Sequence, residues 1–340
     1  MLHEKYRPRE IEEIAHVPCR KVLREFDAET FPSIILTGQE GSGKRTLLRA
    51  FMKRVFGSES CYKGYTAEIE LGSSKTVEVE LMENNESVEI KVSGYGQSDK
   101  KILQKIAKDI SETKSIKSWI GAGQKRAKVL VISDGESLSQ GAQMALRRIM
   151  EKGADNFRVV VMTTSTSTFI DAFKSRFLIC RVPAMSDEEV AKRLEHVCAE
   201  EKKAVQPHLI AKIAKESKGN LNKALSILEM AMATEAPEIR MEWEEVLSEI
   251  SAAICASPSI NELVESRKKV YSALDSLVPG SEILLRLIQE VLEKETSVET
   301  AKSIAQYGSL FSARLSTGTR DLFHIEAFIA RAMSLRSNSK

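Results

Sequence analysis

Apolar and polar positions divide the chain into two regimes. In the first, Ile34-Ile35-Leu36, Val129-Leu130-Val131-Ile132 and Val159-Val160-Val161-Met162 are short, uninterrupted and mostly β-branched, the pattern of strands buried on both faces. Leu47, Leu48, Phe51 and Val55 recur at helical spacing, as do Ile102, Leu103, Ile106 and Ile110 in a stretch from about Ser98 to Ser111, and another helix is predicted from about Ser139 to Lys152. Alternating β and α elements predict a parallel sheet with helices on both faces, and Leu178 to Val182 adds a strand that Pro183 ends. Between these elements, Thr66 to Leu71, Thr76 to Leu81 and Glu86 to Val92 alternate polar and apolar residues around Gly72-Ser73-Ser74 and Asn84-Asn85. They read as a small antiparallel insertion, about 62–95, with one solvated face.

Beyond Pro183 the strand signals stop. Ser186-Asp187-Glu188-Glu189 is a capping box that opens a helix, Pro207 starts another, and Gly219-Asn220 precedes a third from Leu221 to about Ala233. After Pro237 the pattern is helical again, broken near Ser257-Pro258, Pro279-Gly280, Thr296-Ser297 and Thr317-Gly318. The expected organisation is an α/β domain over 1–183, a three-helix unit over 184–236 and an all-α domain over 237–340.

Composition narrows the class without naming a chemistry. The 340 residues suffice for two or three domains, and 50 Lys and Arg against 48 Asp and Glu leave a net charge of +2, so overall charge does not argue for nucleic acid. Locally, residues 97–152 hold twelve Lys or Arg and six Asp or Glu. Five scattered cysteines without a C-x-x-C pair support neither a disulfide framework nor a zinc site and suggest a reducing compartment. A charged start, Met-Leu-His-Glu-Lys-Tyr-Arg-Pro, and no apolar run near a membrane span lead us to expect a soluble, intracellular protein with no membrane partner.

Chemistry enters at residues 38–46, Gly-Gln-Glu-Gly-Ser-Gly-Lys-Arg-Thr, between the first strand and its helix. A phosphate-binding loop is Gly-x4-Gly-Lys followed by Ser or Thr, with backbone N–H groups around the phosphates, the Lys on the terminal phosphates and the hydroxyl on Mg²⁺. Gly38, Gly41, Ser42, Gly43 and Lys44 fit the pattern, but Arg45 holds the hydroxyl position. Thr46 is rotated by about 100° on the helix and cannot take over the metal. The loop is expected to grip phosphates and to handle Mg²⁺ badly.

A second departure lies at the end of the strand Val129 to Ile132, where P-loop ATPases carry an Asp for Mg²⁺ and a Glu for the attacking water. The chain gives Ser133-Asp134-Gly135-Glu136. With Ser133 at the metal position, Asp134 is a base one methylene too short; with Asp134 at the metal position, the base position is Gly135. Either register loses one of the two groups.

Lys5-Tyr6-Arg7-Pro8, Ala142-Gln143 with Ala145-Leu146-Arg147-Arg148 and Met150-Glu151, Ser175-Arg176, and His324-Ile325-Glu326-Ala327-Phe328 together resemble the replication factor C small subunits along essentially the whole chain. Those are AAA+ proteins of a five-membered ring that loads the sliding clamp, PCNA, onto primer-template DNA in the nucleus. The resemblance implies an α/β AAA+ P-loop domain, a three-helix lid and an all-α collar, with other ring subunits, the clamp and DNA as partners. The basic residue after the P-loop Lys matches the small subunit whose nucleotide site is degenerate. It aligns Ser133 with the metal Asp, Asp134 with the catalytic Glu, Thr164 with the sensor Asn and Asn222 with the lid Arg. Thr offers one short polar arm and Asn no charge, so ATP or ADP is expected to bind with little or no hydrolysis and with Mg²⁺ weak or absent.

The same resemblance gives Arg176 the role of an arginine finger on the neighbouring subunit's ATP, with Phe177 where the family has Cys. It places Tyr6, Arg7 and Pro8 near adenine and ribose, and Arg147 and Arg148 in subunit coupling. It sets Lys100, Lys101, Ser139 and Gln140, at two helix starts, against duplex backbone without base reading. The rival readings are an active stand-alone P-loop ATPase, against which Arg45, Ser133 and Thr164 speak, and a purely structural ring scaffold.

Overall fold

A computed structural model describes residues 1–27, 30–57, 62–70, 76–84, 86–112, 128–153, 157–203, 205–234, 242–256, 259–295, 297–318 and 320–338. It divides into two units, Met1–Pro237 and Glu238–Lys340, each with its own core. The turn at Gly72-Ser73-Ser74 and the break at Ser257-Pro258 lie outside the described residues, as does the basic stretch from Lys114 to Arg126.

Seven strands form the sheet of the first unit: β1 Ile34–Thr37, β2 Lys63–Glu70, β3 Thr76–Glu83, β4 Ser87–Lys91, β5 Lys128–Ser133, β6 Phe157–Thr163 and β7 Leu178–Arg181. Their order is β2-β3-β4-β5-β6-β1-β7. From β4 to β7 every pairing is parallel, with Ile34 beside Val160 and Leu178, and Leu130 beside Val159 and Val88. β-Branched side chains alternate between two cores. Leu130, Ile132, Val159 and Val161 face the helices Asp99–Glu112 and Gln140–Lys152, while Val129, Val131, Val160 and Ile34 face the helix Lys44–Phe56 and the amino-terminal segment. The predicted helix near 98–111 therefore starts one residue later, and Ser139 is the cap of the next helix, accepting from Ala142 N.

One expectation changes here. Glu86 to Val92 does not belong to an insertion with a solvated face, because β4 pairs in parallel with β5 and is buried from Ser87 to Ile90. Only β2 and β3 form the antiparallel extension, and β3 meets β4 along Leu81–Glu83. Glu89, on the polar half of the alternation, meets Arg45 of the P-loop helix rather than water and is only 7% exposed.

Three helices complete this unit. Asp187–Glu201 opens with the predicted capping box, Ser186 Oγ accepting from Glu189 N while the Glu189 carboxylate accepts from Ser186 N. Pro207 stands at the first turn of Pro207–Ser217, and Leu221–Thr234 follows Asn220, whose Oδ1 accepts from Lys223 N.

The second unit is helical throughout its described residues: Glu242–Ala256, Ile260–Asp275, Gly280–Glu293, Val298–Thr317 and Asp321–Asn338. Its core gathers Leu247, Ile254, Leu287, Phe311 and Phe328, with the last two rings edge to face. Arg336 ties its last helix to Glu295 at 2.8 Å and to the Cys255 carbonyl at 2.9 Å. Among the described residues no helix is long and apolar enough to cross a membrane.

Candidate functional site

The P-loop leaves β1 at the edge of the sheet's carboxyl ends, where open α/β sheets place ligands. Gly43 caps the following helix at φ 92°, and Gly41, at φ 73°, lies so close to Asn220 that a Cβ would stand 2.0 Å from its Oδ1. An L side chain at either glycine would be strained, and at Gly41 it would also displace the Asn220 side chain from Lys223 N. Lys44 Nζ curls into the loop's concavity and donates to the carbonyls of Gly38 at 2.6 Å and Gln39 at 2.9 Å. Burial pushes its ammonium below the ordinary lysine value, and Glu136 and Glu40 pull it partly back.

Two pockets meet at this loop. One, of about 260 Å³, is lined by Arg7, Lys44, Arg45, Thr46, Ser133, Asp134, Glu136, Thr164 and Asn222. The other, of about 320 Å³ and more apolar, runs from Pro8, Ile14 and His16 past Ser42 to Met185, Arg193 and Leu221. A polar chamber at the helix start beside an apolar one suits a phosphate chain joined to a flat base. His16 Nε2 donates to the Ser42 carbonyl at 3.1 Å and fixes the wall between them.

Most of the predicted P-loop, strand-end and sensor residues thus come together. Arg7 reaches the polar chamber and Pro8 the apolar one, whereas Tyr6 turns away: its hydroxyl donates to Glu201 at 2.9 Å, beside Lys5 Nζ at 2.7 Å, and its carbonyl accepts from Arg193. That pairing holds the Glu201 carboxyl below its usual range.

Arg45 is anchored rather than loose. Its Nη2 donates to Glu89 Oε1 and, at 3.2 Å, to Ser133 Oγ, while Ser133 Oγ donates to the same Glu89 oxygen at 2.7 Å. Ser133 is therefore the strand-end residue that faces the P-loop. Asp134 adopts a left-handed backbone, φ 54°, and its Oδ2 accepts from Ser93 Oγ at 2.7 Å. The Glu136 carboxylate, in contrast, accepts from Thr163 Oγ1 at 3.0 Å and from Thr164 N at 3.3 Å on the floor of the polar chamber.

Arg176 lies outside these pockets. It follows the short helix Asp171–Lys174, with Nη1 donating to the Ala172 carbonyl at 2.8 Å and Nη2 paired with Glu151. Arg147 Nε shares Glu151 Oε1 at 3.1 Å, and Arg148 is exposed on the same helix. Phe177 fills the space behind, its ring centroid 4.6 Å from that of Phe173.

Comparison with known proteins assigns the family. Residues 243–340 match the model "Replication factor C subunit 3, C-terminal domain", residues 192–234 match "RCF1/5-like, AAA+ ATPase lid domain", and residues 24–186 match "DNA polymerase III, delta subunit". The chain is 32% identical to Replication factor C subunit 3 of Arabidopsis thaliana, covering 98% of this chain and 97% of that protein. The chain belongs to the replication factor C subunit family. Replication factor C subunit 5 of Saccharomyces cerevisiae is 31% identical, with 97% and 98% covered. Among solved structures, a Thermotoga maritima RuvB variant aligns with 74% of this chain and 79% of its own at 15% identity and a TM-score of 0.48, too loose a likeness to bear on function.

In this replication factor C subunit the two helix starts expected to meet DNA are joined through a residue the sequence did not single out. Asp99, 1% exposed, accepts from Ser139 N at 2.8 Å, Ser139 Oγ at 2.9 Å and Lys100 N at 2.5 Å. It locks Lys100, Lys101, Ser139 and Gln140 onto one edge, with the Lys100 side chain lying over Gly141. The Ser139 hydroxyl is accordingly engaged within the protein.

Mg²⁺ is the ion a P-loop site implies, and the residues present do not fit it. The P-loop hydroxyl is replaced by a guanidinium that cannot ligate a metal, and the strand-end carboxylate by Ser133, whose hydroxyl is committed to Glu89. Among the described residues no cluster of three or more His, Cys, Asp or Glu could hold a metal.

Proposed function

We propose that this chain is the subunit of a clamp-loading ring that holds a nucleotide with little or no hydrolysis and lends Arg176 to the ATP of its neighbour. The division into a nucleotide domain over 1–183, a lid over 184–236 and a collar over 237–340 goes with that reading, as do assembly with other replication factor C subunits into a heteropentamer and residence in the nucleus. The sliding clamp, PCNA, and primer-template DNA are its further partners, in replication and in DNA repair.

One observation carries the proposal: at the single P-loop site, the metal-binding hydroxyl has become an arginine anchored by Glu89 and Ser133. A phosphoryl-transfer site needs a divalent ion across the β- and γ-phosphates and a positioned base. Here the ion's place is taken by Arg45, and Asp134 is turned to Ser93, so the chamber retains binding parts and has lost reacting ones. Arg176, by contrast, is at the surface, where an arginine finger supplied in trans must be.

The test uses the isolated full chain. Purified protein should carry or take up close to one nucleotide per chain and show no turnover above background. A rate near the ~1 s⁻¹ typical of working kinases would restore the active-ATPase reading, and failure to bind any nucleotide would favour the scaffold.

A further inference from the structure

Resting on the nucleotide-holding reading, we propose that Arg45 is a built-in replacement for the divalent cation, so that this site takes its nucleoside di- or triphosphate in the metal-free form. The usual partner of such a site is the Mg²⁺ complex, in which the ion neutralises oxygens that Lys44 and the loop amides do not reach. An arginine substituted at that position could simply point to solvent. Its anchoring says otherwise.

Three groups form a closed unit under the P-loop helix: the Arg45 guanidinium, the Ser133 hydroxyl and the Glu89 carboxylate, each in contact with the other two. Glu89 comes from β4 and Ser133 from β5, so two rigid neighbouring strands fix one guanidinium. Only Nη2 of Arg45 is engaged, and the side chain is half exposed toward the polar chamber that it lines. The remaining N–H donors of this planar, permanently charged group are left for phosphate oxygens in the chamber that Arg45 lines.

Glu89 has a second effect. Its carboxylate holds the fork in place and cancels the guanidinium's charge when the chamber is empty, so the cation stays under the helix without a ligand. A hydrated Mg²⁺ entering with the nucleotide would meet a guanidinium and a committed Ser133 hydroxyl where its protein ligands should be, and neither can ligate it.

The experiment measures equilibrium binding of mant-ADP and mant-ATP to the full-length protein in excess Mg²⁺ and in excess EDTA. The wild-type dissociation constant should be no weaker in EDTA than in Mg²⁺, and weaker in Mg²⁺ to the extent that the ion sequesters free nucleotide, more so for mant-ATP than for mant-ADP. Arg45→Gln, which removes the charge, should lose about tenfold or more in EDTA, and Arg45→Lys should keep most of the EDTA binding because it keeps a cation. Glu89→Gln, with the fork unanchored, should fall between them, and thermal unfolding of each variant reports whether the fold is retained. Wild-type binding lost in EDTA by tenfold or more would overturn the proposal while leaving the nucleotide-holding reading intact. Absence of binding in both buffers would overturn both.

Discussion

Arg176 Nη2 and Glu151 Oε1 form an ion pair on the surface, and Arg147 Nε donates to the same carboxylate oxygen at 3.1 Å. The Arg176 side chain is thereby held on its own subunit, tied to Glu151 of the helix that carries the Ala142-Gln143 and Arg147-Arg148 motifs. If Arg176 acts on a neighbour's ATP as proposed above, its guanidinium must trade Glu151 for a phosphate.

The pairing makes a titration testable. Arg147 first and Arg176 second hold the Glu151 carboxyl below its usual range. Because the folded value lies below the unfolded one, the pair contributes fully above the ordinary carboxylate pKa and is lost as pH falls through the depressed one. Carboxyl-carbon NMR should place Glu151 below the ordinary value of about 4.3, and Arg147→Ala should return it further toward that value than Arg176→Ala does. An unshifted midpoint in the wild type would show that Arg176 and Arg147 are not held on Glu151.

Removing the Arg45 charge should destabilise the protein itself. Arg45→Met leaves the buried Glu89 carboxylate without its counter-charge, at a cost of about 2 kcal/mol in urea unfolding, less than the ~3–5 kcal/mol of a fully buried pair because Arg45 is half exposed. Arg45→Met combined with Glu89→Met should cost clearly less than the two single changes added. Strict additivity would mean that the two groups do not interact.

At the starts of the helices that follow β4 and β5, Asp99→Ala removes the acceptor of three hydrogen bonds and should cost about 3 kcal/mol, leaving part-buried N–H groups unpaired. Lys100→Ala should leave stability unchanged but weaken binding of the assembled loader to primer-template DNA equally for all sequences, lowering the salt slope by about 0.9. A sequence-dependent loss, or none, would remove Lys100 from the DNA contact.

The sequence made the P-loop, the β and α alternation and the capping box at Ser186 legible because each is a local pattern. It was silent about Glu89 and Asp99 for a physical reason. Alternation in Val88-Glu89-Ile90 marks two faces of a strand but does not say whether the polar face meets water or another element, and here it meets Arg45. The available signal was charge: an arginine introduced beside a phosphate loop calls for a carboxylate nearby. Both the Ser133 and the Asp134 register leave Glu136 beyond the strand end, whereas the left-handed turn at Asp134 swings it back under Thr163. The resemblance sets Tyr6 toward the base, whereas its hydroxyl bonds Glu201, 195 residues away in sequence.

The most direct measurement is the DNA- and clamp-stimulated ATPase of the reconstituted ring carrying this chain as Lys44→Ala or as Arg176→Ala. Loss of Arg176 should abolish turnover at the one site it serves, by about 10³-fold or more there, and lower the total by at least that site's share, with a severe drop where the sites of the ring fire in concert. Lys44→Ala should leave the total nearly unchanged. The reverse order, with Lys44→Ala severe and Arg176→Ala mild, would mean that this chain hydrolyses its own ATP and lends nothing to its neighbour.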